Sequence, residues 1–266
     1  MQLFYKIRRY TISSEKIDKP TRLVFFSDTH ESEIDLEALV RDISDLKPDA
    51  VLCGGDLVIV RRVIEHHTDW YQNTIKLFKA LSPFPVYVVD GNHEWELTNH
   101  RVGRAERRLG KDKVATYGIL WGIIESFGAH NLNNKSLHIH NVKIHGLKPS
   151  KELYLKNLTA EEINSRIGRA DKGSFNVLIA HNPSDFEIYK EWGADLILSE
   201  HYHGGVIRVC NRGLFGPGIE LLPPYTQGIY EKDGARMIVT SGLGEQPLKL
   251  RINNPRELLV IELRRA

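Results

Sequence analysis

Short apolar, β-branched runs alternate with amphipathic stretches through the first half of the chain. Proline cannot continue a helix, so Pro48 and Pro83 end the helical stretches that precede them. The order of these elements predicts βαβ units and a largely parallel sheet. The predicted strands cover 23–27, 50–53 and 86–89, and the predicted helices cover 34–46 and 69–81.

The second half begins with further strand and helix patterns and then changes character. Strands are predicted over 136–140, 142–147, 177–180 and 196–198, and an amphipathic helical segment over 160–169. The polar, helical segment 95–135 is either a cap or a packed crossover. In the last sixty residues, short runs lie between Gly and Pro turns, which favours mostly antiparallel hairpins. These runs are 206–209, 229–230, 236–240 and 258–262.

The composition indicates a folded α/β protein. Hydrophobic residues make up 41% and charged residues 26% of the 266 residues, which is typical of globular chains. No internal repeat and no Gly-, Ser- or Pro-rich linker divides the sequence, so a single domain over 1–266 is predicted. The net charge of +2 is too small to indicate a nucleic-acid surface. The basic segment 101–113 is more simply interpreted as the solvent-exposed face of a helix than as a nucleic-acid-binding patch.

The cysteines and the apolar runs bear on location. Cys53 and Cys210 are far apart, which indicates neither a disulfide framework nor a thiolate metal site. No stretch has the length of a signal-peptide core or of a membrane span. A cytoplasmic protein is therefore expected, and its oligomeric state stays open.

Polar clusters follow the predicted strands. Because ligand sites in open α/β sheets lie beyond the carboxyl ends of strands, these clusters should converge. Each one alone has an ordinary explanation, such as a turn aspartate, a helix cap or a structural histidine. Taken together they favour a metal site. The clusters are Asp28-Thr29-His30, Gly54-Gly55-Asp56, Asp90-Gly91-Asn92-His93-Glu94, His181-Asn182-Pro183 and His201-Tyr202-His203.

In their order along 28–205, these clusters resemble the calcineurin-like metallophosphoesterase superfamily. The segments 204–208 and 241–244 resemble its bacterial branch of YkuE-like and UDP-2,3-diacylglucosamine hydrolase-like enzymes. The resemblance implies a four-layer αββα sandwich, in which two mixed β-sheets are flanked by helices. It also implies a dinuclear metal site at the carboxyl ends of the strands.

The resemblance implies a role for each residue. One metal is expected on Asp28, His30, Asp56 and His203, and the other on Asp56, Asn92, His181 and His201. Asp56 then bridges the two, and a metal-bridged hydroxide attacks a phosphomonoester or phosphodiester in line. His93 is expected to stabilise the transition state or to protonate the leaving alkoxide. The mixture of imidazole, carboxylate and amide ligands suits Mn, Fe, Zn or Co.

Two positions depart from the family pattern. Many members have, three residues after the bridging Asp, an acid that orients the catalytic His, but this chain has Ile59. Asp90, Glu94 or Glu65 is a possible substitute. Glu200 stands where Gly is usual, and either crowds or charges the site, or points outward and hydrogen-bonds a ligand histidine.

Two alternatives stay open. A non-catalytic metal-binding scaffold could keep the same fold, although complete ligands argue against it. A nucleotide diphosphate lipid is an alternative to a soluble, small-molecule phosphate ester. The lipid would favour an exposed apolar surface, whereas a soluble nucleotide would stack on aromatic residues such as Trp95, Tyr202 or Tyr225.

Overall fold

A computed structural model describes residues 4–60, 70–98, 113–151, 158–216, 220–245 and 250–266. Two six-stranded sheets and a small hairpin form its β-structure. The first sheet comprises β1 (Tyr5–Ser13), β2 (Thr21–Phe26), β3 (Ala50–Cys53), β4 (Val86–Val88), β5 (His130–Asn131) and β14 (Arg256–Arg264). The second comprises β6 (Lys135–Ile139), β7 (Val142–Leu147), β8 (Phe175–Ala180), β9 (Leu196–Ser199), β12 (Gly228–Lys232) and β13 (Ala235–Val239). The hairpin pairs β10 (Arg208–Val209) with β11 (Arg212–Gly213).

Both sheets are mixed. The first has the order β1-β14-β2-β3-β4-β5, in which β2 to β5 are parallel and β14 runs antiparallel to β2 but parallel to β1. The second has the order β12-β13-β9-β8-β7-β6, with a parallel centre and an antiparallel strand at each edge. The parallel strands place the loops at their carboxyl ends on the same side of the molecule.

Six helices connect the strands of the described part of the chain. They are α1 (Leu36–Leu46), α2 (Gln72–Leu81), α3 (Asn92–Thr98), α4 (Lys113–Ser126), α5 (Ala160–Ile167) and α6 (Phe186–Trp192). Asp35 caps α1 by accepting a hydrogen bond from the Ala38 N–H. Thr159 and Glu162 form a capping box at the start of α5, so local sequence fixes where both helices begin. Within the described residues, no helix is long and apolar enough to cross a membrane.

The alternation of side chains along each central strand explains the layered packing. Leu23 and Phe25 of β2 point into the core between the two sheets, whereas Val24 and Phe26 face the outer core under α1, α2 and α4. Ile179 of β8 likewise faces the inner core, while its neighbours on the strand face α5 and α6. Both faces of each central strand are buried, which produces the four-layer αββα sandwich that the family resemblance implies.

Most of the predicted elements are present, with differences at the chain ends. β1 was not predicted because it is an edge strand with mostly exposed, basic side chains. In the tail, β10–β11 and β12–β13 form antiparallel hairpins, but the predicted run 258–262 lies in β14, which returns to the first sheet. In the segment 95–135, α4 packs on the first sheet through Leu120 and Ile124. Residues 99–112, with most of the basic segment, lie outside the described residues.

Candidate metal centre

The loops after five strands meet at one edge of the sandwich. The Asp28 N–H donates to the Gly55 carbonyl at 2.9 Å, and the His30 N–H donates to the Asp56 carbonyl at 3.1 Å. On the second sheet, the Glu200 N–H donates to the His181 carbonyl at 2.9 Å. These backbone bonds fix the candidate side chains relative to one another.

The backbone is left-handed at most of the candidate ligands. Non-glycine residues rarely adopt positive φ, and each one costs about 1–3 kcal/mol. Such residues cluster at functional sites because surrounding structure must enforce them. Positive φ occurs at Asp28 (53°), His30 (48°), Asp56 (52°), His201 (84°) and His203 (49°).

Close backbone contacts hold these loops together at two glycines. At Gly55, where φ is +93°, a Cβ atom would lie 1.9 Å from the Gly91 nitrogen. At Gly244, a Cβ atom would lie 2.1 Å from the Thr29 carbonyl oxygen. Only glycine allows this approach, so the segment 241–244 packs directly against the loop that carries Asp28 and His30.

The first group of candidate ligands is formed by Asp28, His30 and His203. His30 Nε2 lies 3.5 Å from Asp28 Oδ2, and His203 Nδ1 lies 3.6 Å from the same oxygen. All three atoms are buried and have no hydrogen-bond partner among the described residues. Buried polar atoms are rarely left in this state unless they serve another ligand.

The second group joins Asp56, Asn92, His181 and His201. The Asn92 amide oxygen lies 3.1 Å from His181 Nε2 and 2.9 Å from His201 Nδ1. Asp56 Oδ2 lies 3.2 Å from the same His181 nitrogen. His181 Nδ1 lies 2.9 Å from the Gly54 carbonyl and donates its proton there, so Nε2 is the ring nitrogen that faces these oxygens.

The separations in the second group, 2.9 to 3.2 Å, are close to those of atoms that share one ion, and those in the first group, 3.5 and 3.6 Å, are slightly wider. Ligand atoms each about 2.1 Å from a metal lie about 3.0–3.4 Å apart at octahedral or tetrahedral angles. Without a cation, a turned Asn92 amide would form more hydrogen bonds, because its NH₂ would donate to both rings. As a metal ligand, Asn92 would turn its amide oxygen towards the ion. Asp56 belongs to two groups, one with His30 and His93 and one with His181 and His201.

The charges of the two groups are strongly coupled. Burial raises the pKa of Asp28 to about 6, despite the lowering effect of His181. Burial also acts on His181, but Asp56 and Asp28 outweigh it and raise the pKa of that ring to about 10. Burial and the neighbouring His181 lower the pKa of His201 to about 3. The buried carboxylates of this site attract positive charge, which divalent cations would supply.

Among the described residues, the His93 ring is held by a backbone N–H group and not by an acidic side chain. Its ring Nδ1 accepts a hydrogen bond from the Val60 N–H at 3.4 Å, and its backbone N–H donates to Asp56 Oδ1 at 2.8 Å. Burial lowers the pKa of the His93 ring. The bond from Val60 leaves the proton on Nε2, so His93 presents a neutral N–H donor.

The substitutes proposed for the acid missing at Ile59 have other partners. Asp90 accepts hydrogen bonds from Tyr117 Oη at 2.8 Å and from Trp121 Nε1 at 3.1 Å, which joins α4 to the loop after β4. Glu65 lies outside the described residues. The ring of His93 is therefore held by the backbone N–H of Val60, although a carboxylate was expected in that role.

Glu94 supports the Asp56 loop. One carboxyl oxygen accepts from the N–H groups of Asp56 and Gly91, at 2.8 and 2.9 Å, and the other accepts from Leu57 and Val58, at 2.9 and 3.3 Å. Burial and the nearby Asp56 raise the pKa of Glu94 to about 8. Sequence reasoning missed this role, because nothing in the residue spacing shows that one side chain gathers four backbone N–H groups.

Glu200 hydrogen-bonds two candidate ligand histidines, through their backbone N–H groups. One of its oxygens accepts from the His203 N–H at 2.7 Å, and the other accepts from the His201 N–H. Burial and the adjacent Asp28 raise the pKa of Glu200 well above its usual value.

Tyr202 is buried and bonds Ser184 Oγ at 2.9 Å, so its expected use as a stacking surface is wrong. Tyr225 packs edge-on against Phe186 and Tyr230.

Known proteins are similar to this chain in sequence. The model of the calcineurin-like phosphoesterase family matches residues 21–211. The uncharacterized protein YpbG of Bacillus subtilis (strain 168) is 28% identical over 97% of this chain and 86% of its own length. The uncharacterized metallophosphoesterase YkuE of the same organism is 27% identical, over 91% and 79%. Phosphodiesterase YaeI of Escherichia coli (strain K12) is 25% identical, over 92% and 82%.

Proposed function

This chain belongs to the calcineurin-like phosphoesterase family, and on that premise we propose that it is a metal-dependent phosphoesterase cleaving a phosphomonoester or phosphodiester by direct, in-line attack of water. The family makes it a hydrolase acting on ester bonds. The observation that carries the proposal is the convergence of buried ligand atoms without hydrogen-bond partners, within the described residues, at Asp28, His30 and His203, beside the Asp56 group.

The proposed ligand set follows the two groups. Asp28, His30 and His203 would hold one divalent ion and Asn92, His181 and His201 the other, with Asp56 shared between them. Mn, Fe, Zn and Co all suit this mixture of nitrogen and oxygen ligands. When bound, such a pair of ions lowers the pKa of water and neutralises the charge on the phosphate.

The chain itself supplies orientation and one hydrogen-bond donor. Asp56 accepts the His93 backbone N–H, which sets the His93 ring beside the shared carboxylate. The Nε2–H of His93 suits donation to a phosphate oxygen as negative charge develops there. Because its pKa is lowered by burial, we assign it this stabilising role in preference to that of an imidazolium acid.

Hydrolysis of a nitrophenyl phosphodiester by the purified chain tests the proposal. The activity should require added Mn²⁺, disappear with a chelator and return when the metal is restored. A folded, metal-loaded chain that hydrolyses neither this ester nor a panel of phosphomonoesters would favour the scaffold alternative.

An exposed apolar surface favours a nucleotide diphosphate lipid as a second candidate substrate. Leu222 and Ile229 line a cavity of about 440 Å³ together with Arg212. Leu222 is 62% exposed, and this segment starts beside His203, where Gly205 abuts Gly213. A charged head group at the metal centre would leave its acyl chains near this surface. Its exposed apolar residues are Leu222 and Ile229.

Paired substrates separate the two candidates. If the substrate is a lipid, Leu222→Ser with Ile229→Ser should lower hydrolysis of a nucleotide diphosphate lipid in micelles about tenfold and leave a soluble diester unaffected. Ile119→Ser, an exposed apolar position on α4, is the matched control. Equal effects on both substrates, or no lipid hydrolysis by the unchanged chain, would favour the soluble ester.

A further inference from the structure

Glu200 contacts four of the seven candidate ligands. Its two carboxyl oxygens accept the backbone N–H groups of His201 and His203, the latter at 2.7 Å. Its own N–H donates to the His181 carbonyl at 2.9 Å, and its carboxyl group lies within hydrogen-bonding reach of Asp28. Its side chain is fully buried, so these contacts are made away from water.

These contacts join the two halves of the sandwich at the site. Asp28 follows β2 of the first sheet, whereas His201 and His203 follow β9 of the second. The 3.6 Å separation of His203 Nδ1 from Asp28 Oδ2 depends on the relative position of those two loops. Glu200 is a side chain that touches both.

We propose that Glu200 is a positioning residue that sets the His201–His203 loop against Asp28 and so completes the first metal position. The inference rests on the proposed function, because it assumes that these side chains bind metal. Both oxygens of Glu200 are already engaged by N–H groups, so it acts through the ligands and is not itself one.

Two substitutions separate position from charge. Glu200→Gln keeps the side-chain length and one of the two acceptor oxygens for the loop. Glu200→Asp keeps the carboxylate but is shorter by about 1.5 Å, so it cannot reach the same N–H groups. Positioning predicts that Gln is tolerated better than Asp, whereas a purely electrostatic role predicts the reverse order.

The decisive measurement is the Mn²⁺ concentration that gives half-maximal hydrolysis of a nitrophenyl phosphodiester. We expect it to rise about 10- to 100-fold in Glu200→Asp and less in Glu200→Gln. Glu187→Gln, an exposed acid paired with Lys232, should match the unchanged chain. Because the metal binds the folded chain, partial unfolding of the apo chain would also raise the half-saturating Mn²⁺ concentration. Urea unfolding of each variant therefore has to show that the apo chain stays folded under the assay conditions.

Three results would overturn the proposal. If the half-saturating Mn²⁺ concentration of both variants stayed within about twofold of that of the unchanged chain, Glu200 would have no role in metal binding. If Glu200→Asp kept the half-saturating Mn²⁺ concentration of the unchanged chain and Glu200→Gln raised it, the charge of Glu200 and not its positioning of the loop would be what matters. No Mn²⁺-dependent hydrolysis by the unchanged chain would overturn the proposed function itself and this inference with it, whereas the first two results leave the proposed function intact.

Discussion

At the scale of single residues, the site contains two kinds of side chain. Some would bind metal, and others hold the ligand loops in position. Asp28 Oδ2 and His203 Nδ1 point into the site without hydrogen-bond partners in the described part of the chain. Glu94 and Glu200 lie just behind and accept N–H groups from the ligand loops. Hydrogen bonds to such acceptors hold the backbone of the ligand loops, which allows strained residues with positive φ to be maintained there.

His93 provides a test at this scale. His93→Gln removes the ring but keeps the backbone N–H that bonds Asp56, so we expect metal content to stay unchanged. The rate constant kcat should fall about 10²- to 10³-fold, as when one donor to the transition state is removed. Metal analysis and steady-state kinetics check both points, with the exposed His138→Gln as control. Loss of metal together with activity would make His93 a ligand.

The candidate ligands could be predicted from sequence because each directly follows a buried strand. The supporting carboxylates could not. Glu94 was one of three possible partners for the His93 ring, but it bonds the Asp56 loop, and Glu200 bonds the backbone N–H groups of two candidate ligand histidines. Whether a carboxylate accepts backbone N–H groups in this way depends on the geometry of the loops, which the hydrophobic periodicity of the sequence does not encode.

At the scale of elements, glycine contacts set the spacing of the ligand loops. A Cβ at Gly244 would collide with the Thr29 backbone, so Gly244→Ala should destabilise the fold by about 2 kcal/mol or more. Gly118 lies in helix α4, where an added Cβ would have no atom within 4 Å, so Gly118→Ala should stabilise by about 0.5–1 kcal/mol. Urea unfolding measures both. Equal stability of the two variants would contradict the packing described.

His145 on β7 gives a pH test that is remote from the site. Burial lowers the pKa of His145 from 6.5 to about 4, although Asn176 bonds its ring. The unfolded chain therefore binds this proton first as the pH falls. The contribution of the neutral ring to stability is complete above pH 6.5 and is lost between about pH 6.5 and 4.

Between pH 7 and pH 5 this loss amounts to about 2 kcal/mol. His145→Gln should therefore weaken the pH dependence of unfolding by about that amount in urea titrations with a chelator present. An identical pH dependence in the variant and the unchanged chain would show that the ring does not titrate in this way.

At the scale of the whole molecule, the parallel βαβ half could be read from sequence because both faces of its strands are apolar. The path of β14 could not, since a terminal strand carries no mark of which sheet it joins. The exposed apolar surface after His203 also escaped prediction, because solvent exposure depends on tertiary packing and not on local pattern.

The central claim is that these loops build one site for two ions that share Asp56. Metal analysis of the chain reconstituted with Mn²⁺, compared with Asp56→Asn, tests it most directly. The account predicts two ions in the unchanged chain, and loss of the paired site together with hydrolysis in the variant. A variant that keeps both ions and its activity, or an unchanged chain that binds none, would contradict the account.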